Sequence, residues 1–108
     1  MSTKNTRTLF FRAMSDPTRQ KILSLLEKRE KMCVSDLVRG LRVSQPTVSK
    51  HLAMLRNADL VLAERAGQQV YYSINDRHMR ECCTSYFSMF SCCSDLFSGS
   101  DVDEQSLE

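Results

Sequence analysis

A mainly α-helical domain carrying one β-hairpin is the fold class this sequence predicts, on three observations. Apolar residues recur at helical spacing from Leu9 to Leu55. Capping residues and prolines mark helix starts at Asp16-Pro17 and at Ser44-Gln45-Pro46. Two β-rich runs then flank a glycine, the pattern of a hairpin.

The first helix is expected over residues 6–14, with Leu9, Phe10, Ala13 and Met14 turned inward. A second begins with Asp16 as N-cap and Pro17 at its first position, then runs through Ile22, Leu23, Leu25 and Leu26 toward Glu30. A short third helix is expected over residues 34–41, capped by Ser35 and ended by Gly40. The most informative segment, residues 44–56, follows within three residues. Its Val48, Leu52 and Leu55 stand at i, i+4 and i+7 on one helical face. At ~100° per residue, Pro46, Ser49, Lys50 and Ala53 fall on the opposite side. That outer face is short, polar and basic, with little bulk to keep it out of a major groove.

Two helices joined by a tight turn, the second polar on its outer face, make a helix-turn-helix. The runs 60–65 and 69–74 around Gly67 would follow it as a wing. Arg65, Gln68 and Gln69 cluster at the tip, within reach of phosphate or the minor groove. An amphipathic surface helix or a plain polar hairpin explains each piece alone; their succession points to DNA.

Asp76 is expected to cap a last helix extending to about Phe97. Along it Met79, Cys83, Tyr86, Phe90, Cys93 and Phe97 are spaced 4, 3, 4, 3 and 4 residues apart, a heptad-like apolar seam. Few elements remain to cover that seam, so its expected partner is a second copy of the chain. Residues 1–97 therefore read as a winged helix-turn-helix DNA-binding and dimerisation domain, and 98–108 as an acidic, unstructured tail.

The 108-residue chain has room for one small core. Hydrophobic residues make up 42% of it. No apolar run approaches the ~20 residues of a membrane span. The first residues open no apolar signal segment, so a cytoplasmic protein with no membrane partner is expected. All 15 Lys and Arg lie in residues 1–80 beside seven acids, a net +8, whereas residues 81–108 carry six acids and no Lys or Arg. A basic body suits a polyanion partner. The cysteines are Cys33, Cys82, Cys83, Cys92 and Cys93. An odd number in a reducing compartment argues against a disulfide framework and leaves metal, metalloid or redox chemistry.

Ala13-Met-Ser-Asp-Pro-Thr-Arg-Gln-Lys-Ile-Leu23, Cys33-Val-Ser-Asp-Leu37, Ser44-Gln-Pro-Thr-Val-Ser-Lys-His-Leu52 and Val70-Tyr-Tyr72 together resemble the ArsR/SmtB family of winged-helix metalloregulatory repressors. The resemblance covers roughly residues 8–90. It implies a homodimer, built through N- and C-terminal helices, that represses transcription and leaves its double-stranded operator when a metal or metalloid binds. By position it assigns Ser44, Gln45, Pro46, Thr47, Ser49, Lys50 and His51 to the recognition helix, and Arg65, Gln68 and Gln69 to wing contacts. His51 lies at the edge of the buried face by helical phase, where a structural role and a phosphate contact stand equal. The arsenic-type members carry Cys-Val-Cys before the recognition helix. Cys33-Val34-Ser35 departs from that, and a hydroxyl is a poor ligand for a soft ion. Cys33 is expected to be a small buried residue.

Cys82, Cys83, Cys92 and Cys93 are the candidate metal ligands. Cys83 and Cys93 fall on the seam, where free cysteine serves as a small hydrophobe, while Cys82 and Cys92 lie off it. Eleven residues of straight helix would separate Cys82 from Cys93 by ~16 Å, too far for one centre. Either the helix bends near residues 88–91, or two final helices pack antiparallel across a dimer. All-sulfur ligation selects soft ions: trivalent arsenic (inorganic or methylated), antimony, Cd(II), Pb(II) or Hg(II). The resemblance favours arsenicals as inducer and a role in arsenical resistance, with Cd(II)/Pb(II) or a thiol-redox or persulfide sensor as the alternatives. An enzyme is not expected: there is no Cys-x-x-Cys, the histidines are His51 and His78, and no nucleophile–base–orienter set can be drawn.

Overall fold

The computed structural model describes residues 5–102, with side chains through Leu96. The chain divides into two units, Met1–Asp76 and Arg77–Glu108.

In the first unit, α1 (Thr6–Met14) starts where the Asn5 side chain accepts from the Thr8 N–H at 3.0 Å, and it buries Phe10 and Ala13. α2 (Pro17–Arg29) starts on Asp16, whose carboxylate accepts from the N–H of Thr18 at 2.7 Å and of Arg19 at 3.1 Å. Those bonds, the Arg19 one above all, hold the Asp16 carboxyl below the usual carboxylate range. Ile22, Leu23 and Leu26 form the buried face of α2.

The two-residue strand β1 (Met32–Cys33) has no counterpart in the sequence reading. It leads directly into α3 (Val34–Leu41), whose ends differ from expectation. Cys33, not Ser35, is the N-cap: the Asp36 carboxylate accepts from the Cys33 N–H at 3.2 Å and from its thiol at 3.3 Å. The thiol above all draws the Asp36 carboxyl below its ordinary range. The helix stops at Arg42, left-handed at φ 62, rather than at Gly40. Gly40 lies inside the helix, where an added Cβ would come within 3.1 Å of Leu25 Cδ1 on α2. It serves close helix approach, not termination.

α4 (Gln45–Asn57) begins at Ser44, whose hydroxyl accepts from the Thr47 N–H at 3.4 Å and donates to the Thr47 hydroxyl at 2.9 Å. Its end is a Schellman motif. Asp59, at φ 61, donates its N–H to the Arg56 carbonyl, and Leu60 donates to the Leu55 carbonyl, both at 2.9 Å. Leu55 and Leu60 are each 0% exposed, so the motif closes over the core. β2 (Val61–Ala66) and β3 (Gln69–Ile74) then pair antiparallel from Val61↔Ile74 to Ala66↔Gln69. Gly67 at φ 67, followed by Gln68 outside the left-handed region, is the pattern of a type II′ turn. β1 adds to the other side of β3 through Met32↔Tyr72 and Cys33↔Tyr71, giving the order β1-β3-β2. α2, α3 and α4 contact one another, α2 and α3 touch β3, and α4 touches β2. Ile22, Leu26, Leu37, Val48, Leu52, Leu55 and Leu60 fill the space between them.

In the second unit, the single helix expected from Asp76 to Phe97 is two: α5 (Asp76–Phe87) and α6 (Ser91–Val102). Asp76 is the first helical residue. At the break the backbone tightens from i→i−4 to i→i−3 bonding, with Met89 donating to Tyr86 and Phe90 to Phe87, both at 3.1 Å. Tyr86 meets the rings of Phe87 and Phe90 edge-on, each at 5.4 Å. The continuous seam is thereby interrupted: Phe90 belongs to neither helix and is 43% exposed. α6 also runs through residues 98–102, where the acidic tail was expected to begin, so the expected boundary after residue 97 falls inside a helix. Residues 103–108 lie outside the described ones, as does the Phe97 side chain. Among the described residues no helix is long and apolar enough to cross a membrane.

Candidate functional site

Burial of Val48, Leu52 and Leu55 turns the opposite side of α4 outward. Ser44, Gln45, Pro46, Ser49, Lys50 and Ala53 are exposed there, and Thr47 is half-buried beneath the Ser44 hydroxyl. The chain carries no acid between Asp36 and Asp59, while Arg39, Arg42, Lys50 and Arg56 lie in that stretch. This segment is therefore positive, as a polyanion partner requires. Arg65, Gln68 and Gln69 are all exposed around the type II′ turn, as the wing reading expects.

His51 differs from its neighbours on α4. Half-buried, it presents Nδ1 to Nη1 of Arg19 at 3.0 Å. Arg19 is a buried cation, 8% exposed. Its Nε donates to the Ala13 carbonyl at 2.9 Å and its Nη2 to the Arg12 carbonyl at 3.0 Å, satisfying the C-terminal end of α1. Nothing in the sequence links positions 19 and 51, and Arg19 was not singled out; its burial is the only signal, and that belongs to the fold.

Each cysteine occupies a different environment. Cys33 is buried at the N-cap of α3, its thiol 3.3 Å from both the Ser35 hydroxyl and the Asp36 carboxylate, in keeping with a small buried residue. Cys82, placed off the seam by helical phase, is the buried member of the α5 pair; its Sγ lies 3.5 Å from His78 Nε2, and His78 Nδ1 lies 3.8 Å from Glu81. Cys83 is half-buried, and burial pushes its thiol pKa up. Cys92 is exposed, with its Sγ 3.7 Å from that of Cys93. That contact, more than burial, raises the Cys93 pKa. Among the described residues no group of three or more His, Cys, Asp or Glu side chains converges on a metal position. One chain thus brings Cys92 and Cys93 together but does not gather all four candidate cysteines.

Two helices joined through Arg42–Ser44, the second exposed on its outer face and followed by a hairpin, have the architecture of a winged helix-turn-helix domain. Residues 16–62 match the family described as bacterial regulatory protein, arsR family. The chain belongs to that ArsR family. It is 43% identical over 70 residues to a transcriptional repressor SmtB homolog of Synechocystis, covering 65% of this chain and 52% of the relative. It is 37% identical over 70 residues to an arsenic resistance transcriptional regulator of Pseudomonas putida, covering 65% of this chain and 55% of the relative. The chain thus spans about half the length of these two relatives. Among solved structures, the transcriptional repressor PagR of Bacillus anthracis superposes with a TM-score of 0.60 at 33% identity, covering 65% of this chain and 79% of PagR.

Proposed function

We propose that this chain acts in the cytoplasm as a homodimeric transcriptional repressor that leaves its operator when trivalent arsenic, inorganic or methylated, is captured by thiolates of Cys82, Cys83, Cys92 and Cys93. The observation that carries the DNA reading is the exposed, short and basic outer face of α4, backed by a fully buried inner face. Ser44, Gln45, Pro46, Thr47, Ser49 and Lys50 enter the major groove, with His51 at their edge, while Arg65, Gln68 and Gln69 reach phosphate or the minor groove. The relatives' descriptions as a repressor and as an arsenic resistance regulator support the same assignment.

For the inducer, the support is the 3.7 Å separation of the Cys92 and Cys93 sulfurs. Two sulfurs each ~2.3 Å from one centre lie roughly 3.4–3.8 Å apart as the angle opens from pyramidal to tetrahedral, so this pair can close on one thiophilic centre with little movement. Cys82 and Cys83 supply further sulfur from the same chain or from the second copy. Capture releases the thiol protons. A coupling of ~1–3 kcal/mol between inducer and DNA lowers operator affinity about 5–150-fold. The vicinal contact also favours a second reading in which a thiol oxidant or persulfide acts on Cys92 and Cys93, and Cd(II)/Pb(II) share the preference for thiolate.

The test is fluorescence anisotropy of the reduced protein on labelled duplexes tiling the DNA immediately upstream of its own gene, titrated with arsenite and with a methylated trivalent arsenical. Release near stoichiometric arsenical is expected, and the Cys82/Cys83/Cys92/Cys93→Ser variant should hold DNA throughout. Release by that variant would remove the thiols from the mechanism. Response only to Cd(II)/Pb(II), or only to peroxide or persulfide, would reassign the inducer.

A further inference from the structure

We propose that Arg19 is a positioning residue for DNA recognition, acting through His51, and that His51 faces inward as its acceptor rather than outward as a phosphate contact. The inference rests on the DNA-binding reading of α4.

A guanidinium has only donors, so the atom 3.0 Å from Arg19 Nη1 must accept. His51 Nδ1 therefore carries the lone pair, and its ring hydrogen sits on Nε2. The other two bonds of Arg19 go to the carbonyls of Arg12 and Ala13, the last turn of α1. One buried side chain rooted in α2 thus joins the end of α1 to the middle of α4. Its planar, fixed fork makes the three bonds directional, which a lysine ammonium cannot reproduce. Val48, Leu52 and Leu55 bury α4 by apolar contact, which resists separation but is non-directional. The Arg19–His51 bond adds the directional restraint that sets how far α4 has turned about its own axis. Ser49 and Lys50 are the two residues that precede His51 in sequence, so a turn of the helix at His51 moves them out of register with the bases.

The test uses the full-length chain and two independent readouts. Long-range ¹H–¹⁵N spectra of the free protein report the His51 tautomer; the expected signature is an unprotonated Nδ1 and a protonated Nε2 in the wild type, lost in Arg19→Lys. Anisotropy on the upstream duplexes should show operator affinity about tenfold weaker for Arg19→Lys and for His51→Phe, the loss of one hydrogen bond to a charged group. His51→Asn keeps an acceptor oxygen near the place of Nδ1 and should stay within about threefold of wild type. Because Arg19 acts at a distance from DNA, the slope of affinity against salt should be unchanged in Arg19→Lys; a lost phosphate contact would lower it by about one. Circular dichroism accompanies each variant, and His51→Phe against His51→Asn decides the matter should Arg19→Lys unfold. A protonated Nδ1 in the wild type, or equal affinities for His51→Phe and His51→Asn, overturns the inference. Failure of the wild type to bind any duplex would overturn the DNA reading instead, while the tautomer still reports whether the clamp exists.

Discussion

α4 and α5 are nearly the same length, 13 and 12 residues, yet they are held in opposite ways. α4 buries Val48, Leu52 and Leu55, is capped by Ser44 and is closed by the Schellman turn at Asp59. α5 buries Cys82 alone and ends where its hydrogen bonds tighten into the residues 88–90 break. A helix fixed along one face and at both ends presents its other face as a rigid surface, which suits reading a groove. A helix with one buried residue and a soft end is easier to move, which suits carrying a signal.

The sharpest way to break that contrast is to remove one apolar side chain from each unit. Leu55→Ala should cost about 2–5 kcal/mol, because the residue is 0% exposed and the Schellman motif closes over it. Leu96→Ala on α6, at 70% exposed, should stay within about 0.5 kcal/mol. Thermal and urea unfolding of both variants measure the pair; equal losses would mean that the second unit is buried as deeply as the first. Ser44→Ala should cost about 1 kcal/mol by removing the α4 cap, with unfolding of the variant as the check.

The smallest expected effect is with pH. The lowered Asp16 pKa means that its stabilising bonds to Thr18 and Arg19 are present above the ordinary carboxylate pKa and are lost as pH falls through the depressed one. Asp16→Ala should therefore be less stable at neutral pH and lose less on acidification than the wild type. Parallel acid unfolding curves for the two proteins would refute this.

The same contrast explains what could be read beforehand. α2 and α4 were legible because independent signals agreed: an N-cap, a proline in the first turn and an apolar period. The hairpin was legible from Gly67, which supplies the positive φ of its turn. An Asp76 cap and an apolar period predict one last helix to Phe97, which is wrong. The distance between the cysteine pairs points to a bend near residues 88–91 as one of two ways out, and the break lies there. No glycine or proline marks the residues 88–90 break, which arises from local backbone bonding and the Tyr86–Phe90 ring contact. β1 escaped because a two-residue strand exists only through its pairing with Tyr71 and Tyr72, far along the chain. Side-chain preference alone points to Ser35 as the cap of α3, whereas the Asp36 carboxylate selects the Cys33 N–H. Ser44, Gln45, Pro46, Ser49, Lys50, Arg65, Gln68 and Gln69 stand exposed while Thr47 and His51 are half-buried, and the Arg19 bond to His51 spans 32 positions and leaves no local trace.

One consequence concerns how such a protein changes over generations. On α4 the residues that hold the fold (Val48, Leu52, Leu55 and the inward His51) and those that meet the solvent (Pro46, Ser49, Lys50, Ala53) are separate sets. Replacing an exposed side chain of this kind ordinarily shifts stability by no more than about 0.5 kcal/mol. On the DNA reading proposed above, successive substitutions on the outer set redirect the domain to a new DNA sequence while the inner set stays untouched, so target choice can drift over an unchanged scaffold.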